Sequence, residues 1–69
     1  MSENWYEIWV DEGHSAPYVL VLRPDALGFE VLDPASGNKC VFKSPGYESA
    51  KMWLLEDEFI LVGRKIYDE

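Results

Sequence analysis

The sequence predicts an α+β domain in which an antiparallel meander of four strands leads into one helix and a fifth strand (β-β-β-β-α-β), with the helix on one face of the sheet. Three observations carry this. Short segments with period-two or continuous apolar character recur between turn signals. One segment only, Ser44 to Glu58, combines helix-start chemistry with a helical apolar period. Nearly half of the 69 residues are apolar (48%), with three Trp, four Tyr and three Phe, which supplies a core even at this length. Residues 1–69 read as a single small domain.

The elements follow in chain order. In Trp5 to Val10, Tyr6, Ile8 and Val10 fall on one face and Trp5, Glu7 and Trp9 on the other, as in a strand. A polar loop, Asp11 to Pro17, comes next. Tyr18 to Arg23 is apolar on both faces until Arg23, which suits a central strand, and Arg23-Pro24-Asp25 is expected to break it. Phe29 to Asp33 is a third strand. Asp33-Pro34-Ala35-Ser36-Gly37-Asn38 is a hairpin loop: Pro presets φ, Gly accepts positive φ, and Asp and Asn bond locally to backbone. In the fourth strand, Lys39 to Lys43, Cys40 and Phe42 share a face that is expected to be buried. Ser44 with Pro45 behind it, or else Gly46, caps the helix. Tyr47, Ala50, Trp53 and Leu54 form its apolar stripe, and Asp57 would interrupt that stripe, so the helix ends near Leu55 or Glu56. Phe59 to Val62 and Ile66-Tyr67 form the last strand, bent or bulged at Gly63. The simplest strand order is 5-1-2-3-4.

Charge and composition narrow the function classes. Thirteen acidic and six basic residues give a net charge of −7. Such a chain is repelled by phosphate backbones and anionic membranes, so neither nucleic acid nor membrane is an expected direct partner, and a basic protein is a better match. The single cysteine, Cys40, excludes an internal disulfide framework. The polar N-terminus shows no secretory signal, and the longest apolar run, Tyr18 to Leu22, is too short to span a bilayer, so a cytoplasmic location is expected.

Catalytic constellations are thin. His14 lies near Asp11 and Glu12, a carboxylate–histidine arrangement used in general-base chemistry, but a Gly/Ser/Pro loop equally suits a solvated histidine. Cys40 with His14 as its base would need an accessible thiol, whereas its strand position places it with Phe42. One Cys and one His do not make a zinc site, and Glu56-Asp57-Glu58 lacks the spacing and glycine of an EF-hand loop. No Gly-rich loop joins a strand to a helix in a phosphate-binding pattern. The expectation is a non-enzyme without cofactor or metal.

Two features suggest contact with another molecule. Trp5 and Trp9 flank Glu7 on one face of the first strand; the aliphatic set Tyr6, Ile8 and Val10 suits the helix side, which would leave both tryptophans on the open face, with Val19 and Val21 or Tyr18 and Leu20 beside them. Glu56, Asp57 and Glu58 place negative charge at a helix C-terminus that already carries partial negative charge. Nearby Lys or Arg would neutralise them, or else they form a contact for a basic partner.

The stretch Lys39-Cys40-Val41-Phe42-Lys43-Ser44 through Ala50-Lys51-Met52-Trp53-Leu54 resembles the strand–turn–helix of small modules built from a three-stranded sheet and a helix, including the amino-terminal DNA-binding domains of tyrosine recombinases. The resemblance covers about a third of the chain and implies a sheet packed on a helix. In that family the sheet is basic and reads DNA; here it carries Trp5, Glu7, Trp9 and Glu30 in an acidic chain, so DNA reading does not carry over. The functional expectation is an interaction module that binds a protein partner or itself (a homodimer) through the open sheet face. An acidic mimic of nucleic acid that inhibits a basic protein is the alternative, and an enzyme using His14 stands behind both.

Overall fold

The computed structural model describes residues 5–13 and 16–66. The polar N-terminus, His14 and Tyr67 lie outside the described residues. The elements are β1 (Trp5–Asp11), β2 (Tyr18–Asp25), β3 (Gly28–Asp33), a 3-10 turn (Pro34–Ser36), β4 (Lys39–Ser44), α1 (Tyr47–Glu56) and β5 (Ile60–Ile66). The strands form one antiparallel sheet in the order β4-β3-β2-β1-β5, the order expected from the sequence. The fold is the expected α+β meander with one helix on the sheet.

Local chemistry explains most boundaries. Asp33 caps the 3-10 turn by accepting from the Ala35 amide, and Gly37 and Asn38 take positive φ (71° and 63°) to bring the chain into β4. β2 runs on through Pro24, beyond the break expected at Arg23. The β1–β2 register ends at Glu7–Leu22, so Pro24 faces no β1 ladder that its missing N–H would interrupt. Gly28, at φ 154°, sits where an added Cβ would come within 2.4 Å of the Ser44 carbonyl oxygen. Only glycine allows the β2–β3 turn to lie this close to the chain entering α1.

Gly46, not Ser44, caps α1; the Ser44 hydroxyl instead folds the approach by accepting from the Gly46 amide and donating to the Gly46 carbonyl. At the other end, the Phe59 amide donates to the Leu54 carbonyl and the Glu58 amide to the Leu55 carbonyl. This is a Schellman stop in which Glu58, at φ 67°, occupies the left-handed position usually held by glycine. Leu54 and Phe59 are both in the core, which supplies the apolar contact that accompanies the motif.

The core lies between α1 and one face of the sheet. Trp9, Leu20, Leu22 and Val31 from the strands meet Ala50 and Leu54 of the helix and Phe59 after it. Phe29, Phe42, Tyr47 and Trp53 close its margins, with Trp53 stacked on Phe42 at 4.6 Å and 11°. The helical stripe is the one read from the sequence. The sheet face beneath it is not: Trp9 is 1% exposed and Glu7 fully buried, so the expectation that Trp5 and Trp9 occupy the open face is reversed. Lone α1, only ten residues long, covers the sheet incompletely, and large aromatic side chains fill the remaining volume better than Ile8 and Val10 would. A second correction concerns Cys40, which is exposed. The β3–β4 register shifts between Val31–Phe42 and Leu32–Cys40; this bulge leaves Val41 unpaired and turns Cys40 to the face opposite Phe42.

Candidate functional site

Two surfaces result from this arrangement: a polar cluster beneath the helix and an uncovered sheet face. The cluster centres on Glu7. Its Oε1 accepts from the Trp9 indole Nε1–H at 3.0 Å. Its Oε2 accepts from the Tyr47 hydroxyl at 2.7 Å and from Arg64 Nε and Nη2 at 3.1 and 2.6 Å. The Arg64 guanidinium lies over the Trp5 ring, 4.6 Å from its centroid, and Trp5, Phe29 and Tyr47 form an aromatic triangle with centroids 5.8–6.1 Å apart. Burial, reinforced by Glu7, raises the Tyr47 phenol above its ordinary pKa, and the bond to Glu7 holds Arg64 still more firmly protonated.

This cluster is a structural device. Glu7 has donors on both oxygens, and no buried side-chain polar atom among the described residues lacks a partner. A general base needs a lone pair directed at substrate and a path to it; Glu7 has neither. Two surface depressions among the described residues lie elsewhere. One of ≈ 240 Å³ lies at the β2–β3 turn between Leu27, Phe29 and Pro45, and one of ≈ 180 Å³ lies on the opposite sheet face between Tyr6, Val21, Arg23, Leu32 and Asn38. Among the described residues no three Cys, His, Asp or Glu side chains are grouped to hold a metal. No helix among them is long and apolar enough to cross a membrane.

The uncovered face is built by register. Ile8 pairs with Val21, Val10 with Val19 and Val21 with Leu32, so these side chains form one aliphatic band across β1, β2 and β3. Ile8, Val10 and Val21 are half-buried, and Val19 is exposed. Polar residues border the band: Arg23 pairs with Glu30 at 2.7 Å, and Lys65 lies opposite Tyr6 in the β1–β5 ladder.

The six residues singled out in the sequence are thus divided. Glu7 and Trp9 are interior, and Trp5 is half-buried among Phe29, Tyr47 and Arg64. Glu56, Asp57 and Glu58 are exposed, and no Lys or Arg among the described residues pairs with them, contrary to the neutralisation expected. The sequence reading set Ile8 and Val10 on the helix side, and it offered Val19 and Val21 only as one of two sets for the open face. One signal did mark them: in β2 the larger Leu20 and Leu22 alternate with valines, and the bulkier set belongs to the core. Comparison with family models, curated proteins and solved structures found no match to this chain.

Proposed function

We propose that this protein is a non-enzymatic interaction module that binds another protein through the sheet face its helix leaves uncovered. The observation that carries this is the aliphatic band of Ile8, Val10, Val19 and Val21, over which no described element lies. Apolar side chains in mutual register on an open face are typical of a contact surface, and the Arg23–Glu30 pair gives it a charged rim. The acidic-mimic alternative has less support. Glu7, Asp25, Glu30 and Asp33 are turned to partners within the chain, which withdraws four of the thirteen acidic residues from any acidic surface.

The test compares Val19→Asp, on the face, with Leu27→Asp, at the exposed turn away from it. Both chains and the wild type are immobilised and challenged with extract, and each is sedimented at several concentrations. A partner retained by wild type and Leu27→Asp but lost from Val19→Asp supports the proposal. Retention by all three, or by none, overturns it.

A further inference from the structure

We infer that β5 is a releasable strap: it leaves the sheet as one unit, with α1 and β1 to β4 still folded, and uncovers the outer edge of β1. β5 differs from every other strand in that none of its residues is buried. α1 packs over β3 and β4, toward the far side of the sheet, and β5 pairs with β1 alone. Ile60, Leu61 and Val62 are 46–61% exposed, so the strand gives up little apolar contact on leaving. The β1–β5 register shifts between Ile8–Gly63 and Trp9–Leu61, which leaves Val62 unpaired and interrupts the ladder near its middle.

Two fastenings hold the strap. Phe59 is buried in the core immediately before β5, and its amide donates to the Leu54 carbonyl, so this end stays with the helix stop. Arg64 fastens the other end, donating to Glu7 Oε2 at 2.6 Å with its guanidinium 4.6 Å from the Trp5 ring centroid. Arg64 is half exposed, so it can exchange Glu7 for water; its withdrawal opens Glu7 to water as well, while Trp9 and Tyr47 remain as donors. Between the fastenings no side chain is buried. Once Arg64 lets go, Ile60 to Gly63 is held chiefly by backbone bonds to β1, and the strand is released together rather than peeled from its end. The closed state covers the outer edge of Trp5 to Val10, and the open state presents it as a free strand edge. This is independent of the aliphatic face proposed above, since Ile8 and Val10 keep their places in both states.

The test follows hydrogen exchange of the full chain residue by residue, without urea and at low urea. The β5 amides bonded to β1 should share one protection factor, about tenfold or more below that of β2 and β3. It should depend little on urea, because opening exposes little new surface. Arg64→Ala should speed exchange at Ile60 and Leu61 as much as at Lys65 and Ile66, by about tenfold or more, since the latch holds the strand as a whole. Protection that climbs step by step from Ile66 back to Ile60 marks fraying and overturns the inference. So does β5 exchange with the rate and urea dependence of β2 and β3, or acceleration by Arg64→Ala confined to Lys65 and Ile66. If Arg64→Ala does not fold, the wild-type pattern alone decides.

Discussion

A carboxylate with no exposed surface in mid-sheet is tolerable only if its charge is met from several directions, and Glu7 meets that condition through Trp9, Tyr47 and Arg64. The partners are not equivalent. Arg64 is about half exposed (49%), so it can recover hydration if Glu7 is removed, whereas Glu7 cannot if Arg64 is removed. Arg64→Ala should therefore cost about 2–3 kcal/mol, somewhat below the loss from breaking a fully buried pair, and Glu7→Gln about 1–2 kcal/mol. Against a total stability of roughly 3–10 kcal/mol for a chain this size, the first change unfolds a visible fraction of molecules. Urea melts of the two variants check the order, and equal losses would show that the pair is held in a more solvated state than its geometry implies.

At the scale of elements, the end of α1 contains a removable strain. Glu58 holds a left-handed conformation that costs a non-glycine residue about 1–2 kcal/mol, and its charge opposes the helix dipole. Glu58→Gly should stabilise the domain by about 1 kcal/mol after the entropy glycine gains in the unfolded chain, raising Tm by roughly 4–8 °C. Glu58→Lys changes the charge and keeps the strain; calorimetry of both separates the two causes. Strand identities, strand order and the helical stripe were legible in the sequence because each rests on local periodicity and turn chemistry. The choice of sheet face was not. It depends on Glu7 meeting Tyr47 and Arg64, 40 and 57 residues away, and periodicity is blind to such pairings. The Cys40 position failed for a related reason: one unpaired residue in β4 inverts the alternation for everything before it.

For the whole molecule, pH should bound stability from both sides. The Tyr18 hydroxyl donates to Asp33 Oδ2 at 2.8 Å; that bond raises the phenol above its usual pKa and lowers the carboxyl below its own. Asp25 is lowered too, chiefly by the Leu27 amide. The carboxylate contribution is complete above the ordinary value of about 3.9 and is lost as pH falls through the lower folded values. The tyrosine contribution from Tyr18 and Tyr47 is complete below about pH 10 and is lost as pH rises through their higher folded values. Urea midpoints should form a plateau between about pH 5 and 9 that falls at each end. Tyr18→Phe should lower the plateau and flatten both limbs, because it removes one bond that titrates from either side; unchanged limbs would show that the bond does not form in solution.

The reversal of the sheet faces also decides what light can report. Trp9 is enclosed in the core, Trp53 is stacked on Phe42, and Trp5 lies beneath a guanidinium, so the indole fluorophores all lie on the helix side of the sheet. Their emission follows unfolding closely. A molecule docking on the aliphatic band would leave it almost unchanged, and the nearest native chromophore on that side is Tyr6. An indole introduced at Val19 would give the open face a signal of its own.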